Sequence, residues 1–186
     1  MSVFVLGGRE TFPRMENLEI LVMDGCKTQN IHKDAFLNLP NLRELSLKDN
    51  PLYAISNAVM LPSLRGLYLQ CMDGMFSEGE KFDIPEKIFS SHNMTGLRIL
   101  VIAKCSLDTL VNDMFLGLDK LETFILDECD IEGIEDGAFQ ELESVTNMSL
   151  ASCTGITELP ASALLGPQNL EVVDLSEIQI LSLIHI

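Results

Sequence analysis

Cysteine and histidine are the side chains in this 186-residue sequence that could carry chemistry, with five cysteines and three histidines. The histidines, His32, His92 and His185, lie far apart, so spacing assembles neither a Ser/His/Asp arrangement nor a two-histidine metal motif. Gly7-Gly8 is not part of a phosphate-binding loop. We therefore predict that the chain is not an enzyme and that it has no catalytic, cofactor-binding or metal-binding residues.

Four of the cysteines, Cys26, Cys105, Cys129 and Cys153, end copies of one repeated nine-residue frame, and Asn50 ends another copy. Metal-ligating cysteines usually come in short pairs such as CxxC, and the sequence has no such pair. Neighbouring copies would place these cysteines close together, but with side chains pointing the same way, which disfavours disulfides. We interpret the four as buried structural thiols that do not fix the redox compartment.

The frame is clearest in LRILVIAKC at residues 97–105, with apolar residues at the first, fourth and sixth places and cysteine at the ninth. Copies start at residues 18, 42, 64, 97, 121, 145 and 170, in steps of 24, 22, 33, 24, 24 and 25 residues. This period is typical of leucine-rich repeats. Over nearly its whole length, the chain resembles the leucine-rich repeat family.

Alternation within the frame predicts a short strand in which Leu100 and Ile102 face the core, while Ile99, Val101 and Ala103 face the other way. No single repeat can enclose its own leucines, so neighbouring repeats must stack. We predict an α/β leucine-rich repeat solenoid, with a curved parallel sheet on the concave side and short helices, 3-10 turns and loops on the convex side. Phenylalanines are expected to pack behind the sheet.

The resemblance also gives the ninth position a structural role, because an asparagine there bonds backbone groups left unpaired by the turn. Asparagine both donates and accepts hydrogen bonds, whereas a thiol is a weak partner. We therefore expect Asn50 to satisfy its turn better than Cys26, Cys105, Cys129 and Cys153 satisfy theirs.

The repeat register divides the chain into a partial N-terminal repeat at residues 1–17 and leucine-rich repeats at 18–186, the last of them incomplete. The 33-residue step predicts an insertion loop at about residues 72–83, where DGMFSEGE combines turn-forming residues with two apolar side chains expected to be exposed. No capping module follows the last repeat, so we expect the chain to be a fragment of a longer array or the product of a truncated gene.

A net charge of −16 and a pI near 4.3 disfavour binding to nucleic acid or to anionic lipid. Ten carboxylates lie between Asp119 and Glu143 against the single base Lys120, which we interpret as a solvated surface rather than a metal or cationic-ligand site. No run is long enough to span a bilayer, and MSVFVLGG does not read as a signal peptide. Membrane attachment is therefore expected only through parts of the parent protein outside this sequence.

Apolar residues gather at the third, fifth and seventh places of the central strands, which should line the concave face. An apolar centre with a charged rim and an aromatic anchor is typical of binding patches. Alternatively, such β-branched residues are common in sheets and indicate nothing specific. The predicted partner-binding residues are Tyr68, Ile99, Val101, Ala103, Ile125 and Asp127.

Two sequons, Asn93-Met94-Thr95 and Asn147-Met148-Ser149, predict N-glycosylation if the chain is secreted. Asn93 should lie in the loop before the fourth repeat. Asn147 should lie on a concave strand, where a glycan would cover the sheet.

The resemblance implies recognition of a protein or microbial ligand through the concave sheet or the insertion loop. The triplets DAF, DMF and GAF at residues 34–36, 113–115 and 137–139 resemble the animal extracellular subtype. We therefore expect an extracellular or cell-surface receptor module of the Toll-like class, acting in innate immune signal transduction and dimerising with a second receptor. The alternative is a cytosolic regulator similar to ribonuclease inhibitor. Free cysteines favour it, but repeats of that type are longer than the 24-residue step of this chain.

Overall fold

A computed structural model describes residues 4–72, 74–85, 88–91, 94–180 and 182–183. The predicted glycosylation site Asn93 lies outside these residues, as do His92 and His185.

The secondary structure consists almost entirely of short strands. In chain order the elements are β1 (Phe4–Leu6), β2 (Ile20–Val22), β3 (Thr28–Ile31), β4 (Glu44–Leu47), a 3-10 turn (Asn57–Val59), β5 (Gly66–Gln70), α1 (Ile88–Ser91), β6 (Ile99–Ala103), β7 (Ser106–Leu107), β8 (Thr123–Ile125), β9 (Asp130–Ile131), β10 (Asn147–Ser149), β11 (Glu158–Leu159), a second 3-10 turn (Ala161–Leu164), β12 (Val172–Asp174) and β13 (Ser182–Leu183).

One strand from each repeat joins a seven-stranded parallel sheet in the order β2-β4-β5-β6-β8-β10-β12. Behind it, three parallel pairs, β1-β3, β7-β9 and β11-β13, connect successive repeats. The predicted leucine-rich repeat solenoid is confirmed. Its convex side carries more strand than the prediction assumed, and α1 comprises four described residues.

The core lies between the two sides of the coil and contains the leucines of the frame together with a column of phenylalanines. Phe89, Phe115 and Phe139 are buried, and Phe115 stacks with the other two at centroid distances of 6.3 and 6.2 Å. Phe124, from the sheet, meets Phe115 edge-on at 4.8 Å. Aromatic packing thus ties three successive repeats to the sheet.

The end of each frame is a tight turn, and its eighth residue adopts a left-handed backbone in six of the seven repeats. The φ angles run from 54 to 64° at Gly25, Asp49, Lys104, Glu128, Ser152 and Glu177. The third repeat is the exception, because Cys71 stands at its eighth place without a positive φ. This exception bears on the disulfide described below.

Thr28 is a polar residue at a core position that Leu107 and Ile131 fill in later repeats. Its backbone N–H donates to Asn50 Oδ1 at 2.9 Å, and the side chain is completely buried. Its hydroxyl has no hydrogen-bond partner among the described residues. A buried, unpaired hydroxyl lowers stability because it loses water without compensation.

We therefore expect Thr28→Val to raise the free energy of unfolding by about 1 kcal/mol or more, since valine keeps the shape and removes the hydroxyl. Urea unfolding measures the change. Thr154→Val is the control, because that exposed hydroxyl already donates to Asp130 at 3.0 Å and gains nothing from removal. A loss of stability in Thr28→Val would mean that the hydroxyl has a partner.

Candidate functional site

The register of the main sheet brings three predicted contact residues into one line across the concave face. Tyr68 pairs with Val101, and Val101 pairs with Ile125. We call these three residues the central row. Each is half-buried, facing away from the core but sheltered by its neighbours. With strands ~4.8 Å apart, the row extends about 10 Å.

Ile99 and Ala103 widen the apolar surface along β6, on either side of Val101. Ile99 pairs with Gly66 and Thr123, and Ala103 pairs with Gln70. Polar residues bound the row at both ends, because Ser46 precedes Tyr68 and Ser149 follows Ile125 in the same register. The concave face therefore has an apolar centre within a polar surround.

The aromatic anchor Tyr68 lies down over Gly66 rather than projecting from the sheet. A Cβ at Gly66 would come within 3.1 Å of the Tyr68 ring and 3.2 Å of its hydroxyl, so only glycine leaves this space open. Lys48 Nζ lies 5.3 Å from the ring centroid, a cation–π distance. Burial, and then the Glu44 carboxylate, raise the pKa of Tyr68, so the phenol remains a neutral hydrogen-bond donor.

Asp127 accepts hydrogen bonds inside the sheet that its place in the repeat frame does not predict. Its Oδ1 accepts from the Ser149 hydroxyl and, at 3.1 Å, from the Ala151 N–H on the next repeat. Asp24 repeats the arrangement, accepting from Ser46 Oγ at 2.6 Å and from the Lys48 N–H at 3.0 Å. An aspartate followed 22 residues later by serine is the sequence signal that identifies these links. Asp127 therefore connects two neighbouring repeats at the edge of the concave face, in addition to any contact that it makes with a partner.

Asn147 lies on β10 with its side chain exposed. Its neighbours in register are Thr123 and Val172. A glycan on Asn147 would therefore lie one strand from Ile125, at the end of the central row, and two strands from Val101.

The ninth-position residues differ in the bonds that they make beneath the turns. Asn50 Nδ2 donates to the carbonyls of Met23 (2.8 Å) and Lys48 (3.0 Å), while its Oδ1 accepts from Thr28. Cys129 Sγ lies 3.5 and 3.6 Å from the carbonyl oxygens of Asp127 and Ile102, whereas Cys153 Sγ donates to the Leu126 carbonyl at 2.7 Å. The Asn50 amide therefore both donates and accepts at this position, while these thiols only donate.

Cys129 and Cys153 are buried free thiols on adjacent repeats. Contact with Cys153, followed by burial, raises the pKa of the Cys129 thiol well above its ordinary value. Cys129 therefore stays protonated at neutral pH and is a poor nucleophile.

For Cys26 and Cys105, which also stand at the ninth place of the frame, the interpretation as buried structural thiols was wrong. Cys105 forms a disulfide with Cys71 across 5.1 Å between Cα atoms, and Cys26 is exposed. The prediction compared only ninth-place cysteines, whose Cβ vectors are parallel, whereas Cys71 stands one place earlier and approaches from another direction. Cys26 is exposed because β2 is the edge of the sheet and has no preceding strand to cover the turn.

This arrangement predicts a stepwise alkylation pattern. The native protein should take one label, at Cys26, the unfolded but unreduced protein three, and the unfolded, reduced protein five. Intact-mass spectrometry after iodoacetamide treatment counts the labels, and peptide mapping locates them. Three labels on the native protein, or five without reduction, would contradict the assignment.

The insertion after β5 is anchored to the solenoid at several points. Phe82 is buried and its N–H donates to the Ser106 carbonyl at 2.6 Å. The N–H of Asp83 donates to the Tyr53 carbonyl at 2.8 Å. Met75 and Phe76, expected to be exposed, are half-buried, and Phe76 meets the Tyr53 ring edge-on at 5.9 Å. These contacts hold the loop against the repeats.

Within the residues that the structure describes, no group of three or more His, Cys, Asp or Glu side chains could hold a metal ion. None of the described helices has the length and apolar character needed to cross a membrane.

Each stacked repeat contributes one strand to the main sheet, an architecture that defines a class of non-globular repeat proteins. Comparison with known families agrees with this class. The family model described as "Leucine rich repeat" matches residues 12–70 and 95–154, so the chain belongs to the leucine-rich repeat family. The crystal structure of human 5T4 (Wnt-activated inhibitory factor 1, trophoblast glycoprotein) is similar, with a TM-score of 0.69 and 24% identity. The match covers 94% of this chain but only 66% of that one, and shows a shared fold. No curated protein matches by sequence.

Proposed function

We propose that this chain is a non-catalytic recognition module that binds a protein partner through the concave face. The central row carries the proposal, because strand pairing aligns Tyr68, Val101 and Ile125 on one partly open apolar surface. Ordinary surface strands would place polar residues there, as Glu44 and Ser46 do on β4. Proteins of this repeat class use such extended surfaces for binding.

The proposed setting is the ectodomain of an extracellular or cell-surface receptor of the Toll-like class, recognising a protein or microbial ligand in innate immunity and signalling as a dimer. Three observations support an extracellular setting: the Cys71–Cys105 disulfide, the exposed sequon residue Asn147, and the likeness to a trophoblast glycoprotein. The alternative is a cytosolic regulator similar to ribonuclease inhibitor. Three free cysteines, one of them exposed, favour it.

Secretion distinguishes the two settings. Expressed behind an added signal peptide, the chain should gain mass that a glycosidase removes, and Asn147→Gln should eliminate part of that mass if Asn147 is modified. The disulfide should form in the same preparation. Well-folded, unmodified protein with five free thiols would instead favour the cytosolic regulator.

For the binding face, Val101→Glu should weaken binding to a verified partner by about tenfold or more, because it buries a charge in the apolar contact. Tyr68→Ala should have a similar effect through loss of the aromatic anchor. Leu165→Glu on the convex side is the matched control, since Leu165 is 68% exposed and lies outside the concave sheet. Equal affinity of all three folded variants would remove the central row from consideration.

A further inference from the structure

A cleft of about 280 Å³ lies between the insertion and the turns that end β6 and β8, outside the central row. We call it the insertion cleft. The insertion contributes Met72, Gly74, Met75 and Phe76, and the solenoid contributes Lys104, Cys105, Ser106, Glu128 and Asp130. Its volume is just below the ~300–1,000 Å³ that is typical of small-molecule pockets. It therefore suits one long side chain better than a whole small molecule.

The insertion wall is apolar and fixed. Met72, Met75 and Phe76 are all half-buried, and the Tyr53 ring supports Phe76 from behind. The Cys71–Cys105 disulfide joins the start of the insertion to the cleft floor. At the other end, Lys81 is largely buried and pairs with Glu132 at 3.3 Å.

The opposite wall is acidic and open to solvent. The side chains of Glu128 and Asp130 are 58% and 57% exposed. Their nearest cations are at the limit of ion pairing, with Lys104 Nζ 3.9 Å from Glu128 and Lys81 Nζ 4.0 Å from Asp130. Asp130 also accepts from the Thr154 hydroxyl at 3.0 Å and from Ser106 Oγ at 3.4 Å, so Glu128 is the less occupied of the two. Each carboxylate oxygen has two lone pairs, which leaves acceptor sites on both side chains for another donor.

We propose that the insertion cleft binds an arginine side chain presented by a peptide segment of a protein partner. The aliphatic stem would lie along Met72 and Met75, because flexible thioethers adapt to an apolar stem. The guanidinium would meet Glu128 and Asp130, for which its planar, weakly hydrated fork is better suited than an ammonium group. The two carboxylates outnumber Lys104, the cation of the lining, and therefore disfavour an acidic segment.

This surface is independent of the central row, because its lining residues come from the insertion and from turns rather than from the concave strand positions. Val101→Glu should therefore leave binding in the insertion cleft unchanged. Failure of one surface would not count against the other.

The test uses a blocked peptide, acetyl-Ala-Arg-Leu-Arg-Ala-amide, titrated at 150 mM salt into the full chain carrying ¹³C-methyl methionine. The Met72 and Met75 methyl signals should shift and saturate, while those of the distant Met15 and the core residue Met148 should stay in place. A peptide in which lysine replaces both arginines should bind more weakly, and a peptide with glutamate at these two positions should not bind. Shifts spread over all methionines would indicate nonspecific attraction and would overturn the proposal.

The double variant Glu128→Gln/Asp130→Asn should weaken binding of the peptide by about five- to tenfold, since it removes both charges while keeping one acceptor oxygen and nearly the same shape at each side chain. Glu141→Gln/Glu143→Gln is the matched control, with the same charge change in the same acidic segment outside the cleft. Cys71→Ser should also reduce the Met72 and Met75 shifts by freeing the insertion wall. Equal loss in both double variants, or no loss in either, would contradict a site in this cleft.

Discussion

Gly155→Ala is expected to lower the free energy of unfolding by about 2–5 kcal/mol, combining a left-handed backbone penalty with overpacking. Gly155 has a φ of +81°, and a Cβ there would lie 2.3 Å from the Ile131 carbonyl oxygen of the preceding repeat. It is an extra residue before buried Ile156, whereas Ile131 directly follows Asp130 in the previous repeat. The repeats can approach each other here only without a side chain. Urea unfolding measures the change.

Gly79→Ala separates the two causes. Gly79 has nearly the same φ, +82°, but nothing lies within 4 Å of its added Cβ. This variant should cost only about 1–2 kcal/mol, from backbone conformation alone. If the two alanine variants lose the same stability, the close approach of the Gly155 backbone to the Ile131 carbonyl is not what the glycine preserves.

Phe115→Ala is expected to lower the free energy of unfolding by about 3–5 kcal/mol, the usual cost of truncating a buried phenylalanine. Phe115 is 1% exposed and contacts Phe89, Phe139 and Phe124, so its loss opens a cavity shared by three repeats and the sheet. Because stability in stacked repeats depends on neighbour interfaces, unfolding should also become less cooperative.

Leu165→Ala provides the comparison, since this side chain is exposed and should change stability by no more than about 0.5 kcal/mol. Chemical unfolding followed by circular dichroism gives both values. A Phe115→Ala loss as small as that of Leu165→Ala would mean that the phenylalanine column does not hold the repeats together.

The sequence was sufficient to place the strands of the main sheet because each strand depends on a local pattern that recurs. Leu100 and Ile102 face the core as predicted, because side chains alternate between the two faces of a strand in a stacked repeat. The convex side was harder to predict. Two-residue strands such as β7 and β9 form only by pairing with the next repeat and leave no periodic signal of their own.

The alignment of Tyr68 with Val101 and Ile125 could likewise be predicted, since equal repeat positions share a register. The orientation of Tyr68 could not, because it depends on the space above Gly66 and on Lys48 of the preceding repeat. The bonds of Asp127 were missed for a related reason. Its partner serine belongs to another repeat, and only the recurrence of the 22-residue spacing at Asp24 reveals the link.

The disulfide and the insertion cleft depend on departures from the repeat. Cys71 is one place out of register with the other cysteines, so a comparison by column overlooks its partner Cys105. The insertion was recognisable from the 33-residue step, but its packing on Tyr53 and Ser106 required the three-dimensional course of the loop.

Site-specific photo-crosslinking tests the central claim, that the concave row contacts the partner, most directly. A benzophenone amino acid replaces Val101 in one variant and exposed Leu165 in another, and each is irradiated with a verified partner. We expect a partner adduct at position 101, diminished by Tyr68→Ala, and little adduct at position 165. Equal adducts at both positions, or an adduct only at position 165, would contradict it.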